Sequence, residues 1–112
     1  MKKYLFYAMR GEKMCFVHVL LNALELKSRG NEVKIIFEGQ SVKLPAELSA
    51  ESNPLYARAL AEGLIAGVCL ACSRVLGAEE DIKRLGLPFL SDMSGHAGIA
   101  PYAENGYIVL TF

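Results

Sequence analysis

The chain carries no surplus of either charge. Twelve basic and twelve acidic residues cancel over 112 residues, and no run of like charge stands out. Nucleic-acid binders normally present a basic face, so the composition argues against a nucleic-acid partner. Long hydrophobic runs are missing too. The opening MKKYLFYAMRGEK holds an apolar stretch too short for the h-region of a signal peptide. The most apolar segment, Leu60 to Leu76, is interrupted by Glu62 and Arg74, whereas a membrane helix needs about 20 mostly apolar residues in succession. No targeting segment and no membrane partner are expected, and the cytoplasm is the expected compartment. Cysteine is scarce and odd in number, at three, which suits a reducing compartment better than a disulfide framework. There is no internal repeat, no low-complexity linker and no second CxxC.

Apolar side chains, by contrast, are abundant. They make up 53% of the chain, above the usual share for a soluble domain. One domain over residues 1–112 can bury a core without staples, and the surplus points to burial between copies in a homo-oligomer.

Along the chain, KKYLFYAM is a continuous apolar run of the kind found in strands covered on both faces. Arg10–Gly11 ends it. The spacing then predicts a helix over 12–28: Met14, Val17, Leu21 and Leu24 fall at helical intervals, and Cys15, Phe16, Val19, Ala23 and Leu26 spread onto other faces. EVKIIFEG is a second strand. QSVKLPAELSAESNP reads as a polar loop with room for one helical turn. Asn53–Pro54 is a helix start, with asparagine as cap and proline at the first position. LIAGVC is read as a third strand, since Gly63 and Gly67 would each weaken a continuing helix by about 1 kcal/mol. Two short helices follow, from ACSRVLG and AEEDIKRLG. LPFLSD is a fourth strand, MSGHAGIAPYAENG a loop with a short helix, and YIVLTF a closing strand. Strands alternating with helices predict an α/β layered fold on a mostly parallel sheet.

On this reading Cys69 stands at a carboxyl strand end and Cys72 in the first turn of the next helix. That sheet edge is where α/β folds bind ligands. Positive charge and free N–H groups at a helix start stabilise an anion, and the thiolate is the reactive form of cysteine. The same edge is expected to carry Arg10 and Gly11 after the first strand, and Ser91, Asp92 and His96 after the fourth. His96, between glycines, is a candidate for proton transfer. Asp92 is equally suited to capping the segment that follows. Cysteine also serves as a small buried hydrophobe, and for Cys15, on an apolar helix, that role is expected. His18 sits on the same helix as a structural residue. A metal is not expected, because zinc sites use three or four protein ligands and one CxxC offers two. His96 would be a third, at a distance the sequence leaves open. A thioredoxin-type exchanger places its CxxC early and with turn-prone residues between the cysteines, whereas here Leu70–Ala71 intervene late in the chain.

Four segments, GNEVKIIFEGQSVKL, GVCLACSRVLG, LGLPFLSDMSGHAG and GYIVLTF, occur in an order and spacing that resemble the DsrE/DsrF-like family, which includes the TusBCD-type sulfur carriers. The resemblance spans nearly the whole chain. It implies a three-layer α/β/α sandwich on a five-stranded parallel sheet and assembly as trimers or hexamers; no cofactor is expected. It also implies a persulfide on the cysteine after the third strand, the position matched by Cys69. Cys72 matches a second cysteine of many relatives whose function is unassigned, and His96 falls in a "GH" pattern typical of that uncharacterised branch. The expected function is sulfur relay with donor and acceptor proteins. The competing expectations are an oligomeric module binding a small anion or nucleotide, and a structural subunit of a hetero-oligomer.

Overall fold

The computed structural model describes all 112 residues. Five parallel strands form one sheet, β1 (Lys3–Ala8), β2 (Glu32–Phe37), β3 (Ile65–Cys69), β4 (Phe89–Leu90) and β5 (Tyr107–Thr111), in the order β4-β3-β2-β1-β5. Parallel strands need crossovers, and the helices supply them: α1 (Lys13–Ser28), α2 (Leu44–Ala50), α3 (Pro54–Ala61), α4 (Leu70–Val75), α5 (Glu79–Leu85) and α6 (Ala100–Ala103). From β1 to β4 each crossover steps the same way along the sheet. Right-handed connections therefore gather α1 to α5 in one layer, and the return to β5 beyond β1 puts α6 in the other. The contacts agree: α1 packs on β1, β2 and α3, α2 bridges α3 and α5, and α6 lies against β5. The architecture is a three-layer α/β/α sandwich.

The unbroken apolar run of β1 is explained by its central place. Leu5 and Phe6 are wholly buried, as are Ile35, Ile36 and Phe37 beside them on β2. On α1 the buried stripe is Phe16, Val19, Leu20, Ala23 and Leu24. Met14 and Leu21, which share its helical spacing, stay 80% and 47% exposed. Asn53 caps α3 as the sequence predicts, its side chain accepting the N–H groups of Leu55 and Tyr56 at 3.0 Å.

Two segments differ from expectation. The supposed polar loop after β2 is a 3-10 turn (Gly39–Lys43) running into α2. Val42, Leu44, Pro45 and Leu48 fold inward there, and Pro45 at the helix start suits the first turn. Scattered apolar residues at helical spacing were masked by polar neighbours. β4 is only two residues long, because Pro88 has no N–H to give the ladder. Its carbonyl instead accepts the Val68 N–H at 2.9 Å. Gly67 is a strand residue chosen for close approach: a Cβ there would lie 2.7 Å from Leu90 Cγ and 2.9 Å from the Pro88 oxygen. No helix is long and apolar enough to cross a membrane.

Candidate functional site

The carboxyl ends of β2 and β3 lie side by side, with Phe37 paired to Val68. Each strand then turns away, and the two turns deliver Glu38 and Cys69 to one spot. Cys69 is the N-cap of α4, its sulfur accepting the Cys72 N–H at 3.4 Å. One helical turn on, Cys72 lies above it. Ser73 fixes this corner by donating to the Cys69 carbonyl at 2.6 Å. The loop after β4 closes the spot with His96, whose Nδ1 is 3.4 Å from Cys69 Sγ and 3.5 Å from both Cys72 Sγ and Glu38 Oε1. One donor atom from each of Glu38, Cys69, Cys72 and His96 lies within 4.8 Å of every other.

Glu38 is buried, at 4% exposure, and both of its carboxylate oxygens accept hydrogen bonds. Its Oε1 accepts the Gly39 N–H at 3.0 Å and the Cys72 thiol at 2.7 Å. Its Oε2 accepts the Ala97 N–H at 3.2 Å. The Tyr7 hydroxyl donates to the Ala97 carbonyl at 2.7 Å and reaches the same Oε2 at 3.2 Å. Burial alone would favour the neutral acid, but the hydrogen bonds from Cys72, Cys69, Gly39 and Tyr7 outweigh it and hold the carboxyl below its ordinary range. The consequence falls on Cys72. Burial first, then its hydrogen bond to the carboxylate, push its thiol up to about 12. Burial and the nearby carboxylate raise Tyr7 as well.

The loop that presents His96 is pinned at several points. Met93 and His96 exchange backbone hydrogen bonds at 2.8 and 2.9 Å, and Ala71 at the start of α4 donates to the Gly95 carbonyl at 2.9 Å. Asp92 accepts the Gly98 N–H at 3.2 Å, so it serves the loop rather than the reacting atoms. Ser91 is exposed and gives only its carbonyl, to Gly95. Ser94 and Gly95 take φ of 50° and 92° to complete the turn.

Of the residues picked from sequence, the fold thus brings together Cys69, Cys72 and His96. Ser91 and Asp92 belong to the supporting loop. Arg10 and Gly11 contribute no group to the cluster: Arg10 is exposed, its N–H bound to the Phe112 carbonyl beyond β5, and a Cβ on Gly11 would meet Gln40 at 3.0 Å, so that glycine serves packing. Arg74 turns away to Glu79, 3.3 Å from its Nε. Cys15 is half-buried on α1 and His18 is exposed. Glu38 and Tyr7 are the members that sequence reading missed. Only the adjacency of β1, β2 and β3 reveals them.

Chemically the cluster combines two thiols, an imidazole nitrogen and a carboxylate, with no lysine or arginine among the contacts described. Cys69 is wholly buried, while Cys72 is partly open and the His96 side chain is 45% exposed. Approach from solvent is therefore over His96 and Cys72.

No protein-family model matches the chain, and no solved structure matches it. Uncharacterized protein MJ0733 of Methanocaldococcus jannaschii is 35% identical to it over 96 residues, which is 84% of this chain and 77% of that protein.

Proposed function

This chain belongs to the family of Uncharacterized protein MJ0733, and from the geometry of its cysteine pair we propose that it is a DsrE-like sulfur carrier holding a persulfide on Cys69. The observation that carries this reading is the Cys69 sulfur at the carboxyl end of β3, 3.4 Å from both His96 Nδ1 and the Cys72 N–H. His96 takes the Cys69 proton. The thiolate attacks the outer sulfur of a donor persulfide, the donor's S–S bond breaks, and the departing thiolate collects the proton from His96. Cys69 is left as the persulfide and the donor as a thiol, with no net oxidation. An acceptor thiolate removes the outer sulfur by the same exchange. The alternative discharge has Cys72 attack the inner sulfur, giving a Cys69–Cys72 disulfide and hydrosulfide, after which an external dithiol must restore the pair. The carboxylate that keeps Cys72 protonated separates these routes, leaving the acceptor exchange as the faster one at neutral pH.

The reading includes a cytoplasmic homo-oligomer, a trimer or hexamer, working with donor and acceptor proteins. Three free cysteines support the compartment. The 53% share of apolar residues, above the usual share for a soluble domain, supports the assembly. Incubation of reduced, metal-free protein with a persulfide donor, followed by mass spectrometry, tests the function. One added sulfur located on Cys69, and absent from Cys69→Ser, is expected. No gain in mass, or equal gain in the variant, overturns it. Light scattering on an eluting column peak tests the assembly, and a monomer mass overturns it.

A further inference from the structure

We propose that Glu38, Cys69, Cys72 and His96 form a four-ligand centre for a zinc-type divalent cation. The donor set is the first argument. Two sulfurs spaced C-x2-C, one imidazole nitrogen and one carboxylate oxygen are the ligand types of tetrahedral zinc, and thiolates select such an ion over magnesium or calcium. Geometry is the second. Metal–ligand bonds of about 2.0–2.3 Å at tetrahedral angles set neighbouring donor atoms about 3.3–3.8 Å apart. Here His96 Nδ1 stands 3.4, 3.5 and 3.5 Å from Cys69 Sγ, Cys72 Sγ and Glu38 Oε1. The Cys72–Glu38 separation of 2.7 Å is tighter, those two atoms being drawn together as donor and acceptor.

The surroundings hold the donors in place. The Ala97 N–H and the Tyr7 hydroxyl engage Oε2 of Glu38 and leave Oε1 turned to the sulfurs. Outer contacts of this kind orient ligands in metal centres. The Gly95–Ala71 and Asp92–Gly98 hydrogen bonds fix the His96 loop on α4. Charge is the last argument. The one ionic partner within 4 Å of Glu38 is His96, and Arg74 is engaged by Glu79, so a carboxylate and two potential thiolates face one another with no fixed cation between them. A divalent ion supplies that charge, and its binding releases the two thiol protons to solvent.

This inference does not rest on sulfur transfer. An ion bound to both sulfurs closes the site to persulfide, so the two occupants exclude each other. Reduced protein, stripped with a chelator, is titrated anaerobically with Co(II) and then Zn(II). The expected result is one cobalt per chain, with thiolate-to-cobalt charge transfer and the strong visible bands of a tetrahedral site, both abolished by zinc. His96→Ala, on a partly exposed loop, should weaken binding by at least roughly tenfold. Cys72→Ser should keep its circular dichroism and lose part of the charge-transfer intensity, while Arg10→Ala should match wild type. Wild-type protein without the charge-transfer band, or folded His96→Ala and Cys72→Ser both binding as wild type does, overturns the proposal. Persulfide loading is scored on the metal-free chain, so cobalt binding without loading sinks only the carrier reading, and loading without cobalt binding sinks only this one.

Discussion

Glu38 and Cys72, 34 residues apart in sequence, meet at 2.7 Å with the thiol donating to the carboxylate. Each sets the other's proton affinity: the carboxyl is held low and the thiol is pushed up to about 12. Iodoacetamide labelling of metal-free protein should therefore find Cys72 slow at pH 8, with a rate still rising above pH 10. Glu38→Gln removes the second cause but not burial, so the rise should move to lower pH without reaching that of a free thiol. Equal pH profiles for the two proteins would remove the carboxylate from the account.

The same pair predicts acid sensitivity. A carboxyl whose folded pKa is depressed contributes stability that is fully present above its ordinary value of 4.5 and lost as pH falls through the folded value. Denaturant midpoints of metal-free wild type should fall on going from pH 6 to below pH 4. In Glu38→Gln the fall should be smaller, because that proton has nowhere to go.

Cys69 is wholly buried beneath His96 and Cys72. Its labelling should then be limited by opening of the Ser91–Gly98 loop. His96→Ala should speed labelling of Cys69 several-fold at constant pH while leaving Cys15, on α1, unchanged. If Cys69 labels no faster in the variant, the route into the site lies elsewhere.

The strand at Ile65–Cys69 and the turn at Cys69 were legible because Gly63, an apolar run of strand length and small residues bound them. From that turn the grouping of Cys69, Cys72 and His96 follows by topology. Glu38 was not legible. FEGQ looks like a strand running into a solvated turn, and its carboxylate becomes a site residue only once β2 is known to neighbour β3. Arg10 is placed apart from the cluster by the same strand order. β1 lies between β2 and β5; past its end the Arg10 N–H turns to the Phe112 carbonyl on the β5 side, whereas Tyr7, three residues earlier, reaches Glu38 at the end of β2. The segment Gly39–Ala50 was lost because charged residues interrupt a buried spacing.

Tyr7 tests whether that outer support matters. Tyr7→Phe keeps the ring in the core and deletes the hydroxyl bound to Ala97 and Glu38. Loss of one buried hydrogen bond should cost about 1 kcal/mol of stability, and more if the Ala97 carbonyl finds no water. Cobalt affinity should fall by roughly 10-fold or more, in line with removal of an outer-shell partner. A variant less stable yet unchanged in cobalt affinity would make Tyr7 a packing residue alone.

Gly67 links the sheet to the site. It is buried in β3, and a methyl group there would meet Leu90 at 2.7 Å and the Pro88 carbonyl at 2.9 Å. Leu90 is a side chain that can turn, but the Pro88 oxygen is backbone already bound to Val68 at 2.9 Å, so β4 itself must shift outward. Gly67→Ala should then cost about 1–3 kcal/mol in denaturant unfolding, the range for overpacking a filled core. The shift does not stop at β4, since Ser91 follows it directly and its loop carries His96. Cobalt affinity should drop together with stability. A folded variant with the wild-type midpoint would mean that β4 stands further from β3 than Val68 and Pro88 imply. A lower midpoint with unaltered cobalt binding would mean that the Asp92–Gly98 and Ala71–Gly95 hydrogen bonds hold the His96 loop independently of the strand before it.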